Sequence, residues 1–146
     1  MSRQIKFRVW DLQEKRFIAY VEDEHYRDCY LHLTLSVGVV AFNNYGEELD
    51  LKSDRFVIQQ FTGLKDKNGK EIFEGDIVNL YFNNPSCSYE PEKARIVWSD
   101  FHNGWAIERL MFEPESIFRF YPFTSLFISY SPVEIVGNIF ENPELL

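Results

Sequence analysis

The sequence predicts a mostly antiparallel β protein with little helix. Three observations carry that prediction. Apolar and polar residues alternate most cleanly over residues 31–40, where Leu31, Leu33, Leu35, Val37 and Val39 fall on one face of an extended chain. Short apolar runs are punctuated by turn formers: Asn68 before Gly69, Asn103 before Gly104, and Gly75 before Asp76. Aromatic residues make up 17% of the 146 positions, a share that suits packed pleated sheets and not disordered chain. Helical periodicity is weak throughout.

In chain order, Ile5, Phe7 and Val9 alternate with Lys6, Arg8 and Trp10, which reads as a half-buried strand. Residues 11–15 are a polar turn, and residues 16–20 return as the second arm of a hairpin. Trp10 lies on the polar face and is expected to be packed under a neighbour, since large aromatics are mostly buried. Glu22, Asp23 and Glu24 form an acidic run, the mark of a solvated loop or short turn. The alternation at 31–40 predicts one long strand. Residues 43–46 make a turn, 47–51 a short or irregular piece, and 55–61 another strand.

The central block, residues 61–80, holds the strongest local signals. Asp66, Lys67, Asn68 and Gly69 form a tight turn, with an Asx-type residue where the turn opens and a glycine where the chain needs positive φ. Gly75 and Asp76 turn into a β-branched, aromatic strand over 77–82. Such a start is common in small SH3-like barrels, an analogy of fold and not of function. Gly63, Gly69, Gly75 and Asp76 are therefore read as structural turn residues. Residues 83–92 form a long loop with two prolines. Residues 94–98 and 105–108 are strands joined by a hairpin connection over 99–104. The aromatic stretches 117–121 and 125–130 are strands or loop hydrophobes closing a barrel end. Residues 133–136 are a last strand. Asn142 and Pro143 read as an N-cap and first helical position of a single turn. The division is an N-terminal hairpin-rich lobe, residues 1–60, and an SH3-like β-barrel lobe, residues 61–146. No linker composition marks the boundary, so one compact unit stays open.

Three separated blocks also carry a resemblance: residues 5–11 (Ile-Lys-Phe-Arg-Val-Trp-Asp), the central block 61–80, and residues 136–145 (Val-Gly-Asn-Ile-Phe-Glu-Asn-Pro-Glu-Leu). Together and in this order they resemble the YopX family, small proteins encoded by temperate phages and prophages. The intervening segments, roughly 21–55 and 83–127, add nothing to the match. The resemblance implies a phage or prophage origin and a fold class, and no mechanism.

Charge narrows the partners. The chain carries 23 acidic and 15 basic side chains, a formal net charge of −8. Nucleic-acid binders usually present a basic patch that displaces counterions from phosphate. Here the cations are scattered, with the Lys6/Arg8 alternation and the Lys65, Lys67 and Lys70 turn the two local exceptions. No apolar window is long enough to span a membrane, and the charged N-terminus lacks the apolar core of a signal peptide. Cys29 and Cys87 do not make a disulfide framework. The expected location is the cytoplasm, that of a bacterial host under the phage reading.

Motifs for chemistry are thin. His25, Cys29 and His32 would share one face of a helix and ligate zinc, but the alternation from Leu31 puts His32 on a strand and no fourth ligand is local. The Asp66 turn lacks the flanking acids of a calcium loop, with Leu64 and Gly75 at those positions. Glu71, Glu74 and Asp76 are close in sequence, without a nucleophile or orienting histidine nearby. No phosphate loop and no nucleophile elbow occurs. No catalytic residue, metal or cofactor is assigned. Tyr81, Trp98, Phe101 and Trp105, with Lys65 and Lys67, form the candidate contact surface. On a small barrel such aromatics stack nucleic-acid bases, while a packed β core needs the same residues for cross-strand pairs. The expected role is a non-enzymatic accessory protein acting by protein–protein contact or self-assembly. Its partners would be copies of itself or a host or phage protein, and a nucleic-acid-binding module is the alternative.

Overall fold

The computed structural model describes residues 5–20, 29–34, 38–43, 45–81, 90–111, 120–122 and 133–146, with backbone alone at 19, 20, 29–34, 38 and 39. The expected mostly antiparallel β architecture is what these residues form. Their one helical element is a 3₁₀ turn at Pro143–Leu145. The chain divides into two compact units, Met1–Phe61 and Thr62–Leu146.

Unit 1 opens with a hairpin, β1 (Phe7–Asp11) and β2 (Arg16–Tyr20), and β1 also pairs antiparallel with the first half of β6 (Phe56–Lys65). Its small core is Val9 and Ile18, with Leu49, Leu51, Phe56 and Ile58 packed against them. The opposite face of β1 corrects the sequence reading. Ile5 precedes the strand and is 53% exposed, whereas Lys6 and Arg8 are buried. Lys6 Nζ sits 5.7 Å from the Phe61 ring centre and Arg8 Cζ 4.6 Å from that of Phe17, while Arg8 Nε donates to Gln59 Oε1 at 2.8 Å. Aromatic faces and an amide oxygen stabilise the two cations, and their aliphatic stems supply apolar surface. Trp10 is buried, as expected, edge-on to Phe17 at 4.8 Å.

The long strand expected over 31–40 is instead two strands, β3 (Cys29–Thr34) and β4 (Gly38–Asn43), paired antiparallel. The chain reverses between Thr34 and Gly38. Odd residues pair with odd ones, Leu31 with Ala41 and Leu33 with Val39, so the period-two pattern passes through the reversal unbroken. β5 (Glu48–Leu49) adds to β4 after a turn in which Asn43 Oδ1 accepts from Tyr45 N and Glu47 N.

Unit 2 takes the second half of β6 beside β7 (Glu71–Phe73), then β8 (Asp76–Leu80), β9 (Glu92–Ser99), β10 (Gly104–Arg109), β11 (Phe120–Pro122) and β12 (Glu134–Asn138). The last five form one sheet in the order β11-β10-β9-β8-β12 that curls into a half-barrel. Its core gathers Ile72, Val78, Leu80, Ala94, Ile96, Ile107 and Val133. Ile96, Ile107 and Tyr121 pair across three adjacent strands, so Ala94 and Trp98 on β9 and Trp105 and Arg109 on β10 share that face. Of the long loop expected over 83–92, residues 83–89 lie outside the described residues and Glu92 instead begins β9; the stretches 117–119 and 125–130 and His25 also lie outside them.

Two turns hold the half-barrel's edges. Asp66 is buried at the β6–β7 turn. One carboxylate oxygen accepts Asn68 N at 2.8 Å and Lys70 N at 2.9 Å, and the other accepts Ile135 N of β12 at 3.2 Å. Lys67 N donates to Val133 O. At the other end, Asp76 accepts Phe73 N at 2.8 Å and Asn138 Nδ2 at 3.2 Å, closing the turn through Gly75 at φ +78°. Asn142 precedes the 3₁₀ turn as expected, but its side chain makes no cap bond there and instead accepts Asn138 N.

Candidate functional site

The head of the β9–β10 hairpin is built from the four connecting residues 100–103 and two tryptophans on the strands they join. Trp98 and Trp105 occupy directly paired positions at the strand ends. Their rings meet edge to face, 5.3 Å between centres at 89°, an arrangement the aromatic quadrupole favours. Trp105 packs onto the half-barrel core, and its buried indole N–H finds no acceptor among the described residues. Trp98 carries the apolar face outward and is 47% exposed. Beyond it Phe101 stands on the turn at 92% exposure, edge to face with His102.

Local bonds fix this turn. Trp98 Nε1 donates to Asp100 Oδ1 at 3.2 Å, and His102 N donates to Ser99 Oγ at 3.3 Å. Ser99 Oγ also lies 3.0 Å from His102 Nδ1. Asn103 N donates to Asp100 O, and Asn103 takes φ +48° to start the return strand, a conformation asparagine tolerates better than most residues. The exposed rings thus sit on a preorganised frame, which lowers the ordering cost of a contact.

The other candidate contact residues lie elsewhere. Tyr81 follows Leu80, which pairs with Glu92. Trp98 is six residues further along β9, about 20 Å at the usual strand rise. Tyr81 Oη donates to Glu134 Oε2 at 2.5 Å, and Lys67 Nζ reaches the same oxygen at 2.7 Å while lying 4.5 Å from the Tyr81 ring centre. The Lys67 ammonium, with Tyr81, holds the Glu134 carboxyl below its ordinary value, and Glu134 raises Lys67. Lys65 is exposed at the end of β6. The structure therefore brings Trp98, Phe101 and Trp105 together and sets Tyr81 and Lys67 in a second cluster. Gly63, Gly69 and Gly75 all take positive φ.

Sequence reading missed two ion pairs on β9 and β10. Glu92 pairs with Arg109, whose guanidinium also lies 5.5 Å from the Tyr121 ring centre, and buried Glu108 pairs with Arg95. A signal was available: a four-residue connection after Ser99 places Arg95 directly opposite Glu108. Among the described residues no cluster of three or more His, Cys, Asp or Glu could hold a metal, and no helix is long and apolar enough to cross a membrane.

These features define a class: a small antiparallel β protein of two units whose half-barrel presents an aromatic hairpin head. The chain belongs to the YopX family, whose model, described as YopX protein, matches residues 6–146. The resemblance read from the three sequence blocks is thereby confirmed. Protein EF1440 from Enterococcus faecalis is a similar solved structure, 27% identical with a TM-score of 0.55, over 99% of each chain. Protein yopX from Bacillus subtilis is 18% identical with a TM-score of 0.63, over 97% of each chain, a likeness of fold. No curated protein matches the chain.

Proposed function

We propose that this YopX-family chain is a phage- or prophage-encoded accessory protein that works in the bacterial cytoplasm by protein–protein contact, without catalysis of its own. The contact surface is the β9–β10 head. The observation that carries this reading is the pair Trp98 and Phe101, two large aromatics held in the open by a hydrogen-bonded turn. Apolar area of this kind, concentrated in Trp and Phe, is what interface centres are made of. The partner is a host or phage protein, or a second copy of the chain.

The nucleic-acid alternative loses support from the same geometry. Lys6 and Arg8 are buried, Lys67 is engaged by Glu134, and Arg55, Arg95 and Arg109 are paired with Asp11, Glu108 and Glu92. Capture on immobilised protein from bacterial lysate, with and without nuclease, separates the two. A defined protein partner retained after nuclease supports the proposal. Recovery that disappears with nuclease overturns it in favour of nucleic acid.

A further inference from the structure

The outer edge of β12 is closed by pieces of chain that are not strands. Among the described residues β12 is the terminal strand of its five-stranded sheet, paired with β8. A terminal strand points alternate N–H and C=O groups away from the sheet, a template for another strand. On β12, and on Val133 just before it, those groups have partners. Val133 O accepts Lys67 N at 2.9 Å, and Ile135 N donates to Asp66 Oδ2 at 3.2 Å. Asn138 N donates to Asn142 Oδ1 at 3.3 Å, and Asn138 O accepts Asn142 N at 2.8 Å. None of these bonds goes to β8. The β6–β7 turn therefore covers one end of the edge, and the C-terminal turn covers the other.

Both covers are fitted to the position. The β6–β7 turn closes on Asp66 Oδ1 through Asn68 N and Lys70 N, so the reach of Oδ2 to Ile135 is additional to the turn. Lys67 adds a charge at the same place, its Nζ 2.7 Å from Glu134 Oε2. Charged side chains are a common defence of exposed edges. At the other end Gly137 lacks a side chain where the C-terminal turn closes in, since a methyl there would meet Asn142 Oδ1 at 2.6 Å.

The strand beneath is suited to pairing. Val133, Ile135 and Val136 are β-branched, with Glu134 the one charge among them. A second copy of β12 is the matching occupant. Set antiparallel about a two-fold axis on Ile135, each strand offers the other its outward Ile135 N–H and C=O. Glu134 then falls opposite Val136, so like charges are not apposed.

We infer that β12 is a guarded edge. The Asp66–Lys67 turn and Asn142 hold it shut against the β12 of a second copy, and opening both lets two half-barrels join there into one continuous sheet. This edge is separate from the hairpin head and does not depend on it.

The test opens the guards and leaves the turns. Asp66→Asn keeps Oδ1 for the turn and presents an amide N–H₂ to Ile135 N, and Asn142→Ala removes the second acceptor. The full chain and the double variant are compared in sedimentation, with proton–nitrogen spectra to check the fold. The double variant should dimerise at least roughly tenfold more tightly than the native chain. A capped peptide of residues 133–138 is the second probe. It should bind the double variant, shift the Ile135 and Asn138 amide signals and displace the dimer. Its Ile135→Pro twin lacks the pairing N–H and should do none of these. If the double variant does not fold, each single variant is compared with the native chain in binding the same peptides. A folded double variant that associates no more than the native chain overturns the inference. So does equal binding of the peptide and its proline twin, or equal binding of the peptide by the native chain and the opened variants. A dimer that Phe101→Ala abolishes also overturns it, because that dimer runs through the hairpin head.

Discussion

Asp66 shows how much one side chain sets in this chain. Burial opposes its charge, yet three backbone N–H donors, from Ile135, Lys70 and Asn68, outweigh that and keep its carboxyl below the ordinary 3.8. Asp11 is lowered too, chiefly by the Arg55 guanidinium, which bonds it at 2.5 Å. Glu134 is lowered by Lys67 and Tyr81. Groups with depressed folded values stabilise the fold fully above their unfolded values and stop doing so as pH falls through the folded ones. The melting temperature should therefore hold steady from neutral pH down to about 5 and fall below about 4. A thermal-melt series in pH checks this, and a flat profile down to pH 2 would contradict it. Asp66→Asn keeps the shape, but its amide can meet the Ile135 N–H only donor to donor, so it should cost about 1–3 kcal/mol in urea unfolding. Gly75 at φ +78° makes a similar point about backbone. Gly75→Val should cost more than about 1 kcal/mol through strain, read as a drop in melting temperature.

At the scale of elements, the hairpins β1–β2 and β9–β10 were legible because alternation and turn chemistry agree there. The β3–β4 reversal was not, because its pairing keeps odd residues opposite odd ones and leaves the pattern of a single strand. That β1 is buried on its second face as well was missed, because a lysine and an arginine count as solvent-facing until the rings of Phe61 and Phe17 are placed against them. On β9 and β10 buried Glu92 pairs with the largely covered Arg109. Arg109→Met should cost about 3 kcal/mol by leaving Glu92 buried without its cation. Adding Glu92→Gln should recover part of that loss, and a double-mutant cycle measures how much. β12 ends under the C-terminal turn: a methyl on Gly137 would come within 2.6 Å of Asn142 Oδ1 and 2.9 Å of Leu145 Cδ1. Gly137→Ala should therefore displace residues 142–146 and cost about 1–3 kcal/mol, visible as faster amide exchange at Asn138 and Asn142.

For the whole molecule, the sequence pointed to aromatic residues as a contact surface but could not sort them. Trp105, Trp98 and Phe101 are consecutive stages from core to solvent on one hairpin, whereas Tyr81 belongs to a polar tie between β8 and β12. Sorting them needs the strand register, which places Tyr81 and Trp98 at opposite ends of the β8–β9 ladder. The central claim is that the hairpin head serves recognition and not stability. The direct measurement is a side-by-side comparison of Phe101→Ala with the unaltered chain, in thermal unfolding and in capture of its protein partner. The account predicts stability unchanged within about 0.5 kcal/mol together with loss of the partner. A partner retained in full by the variant would contradict it.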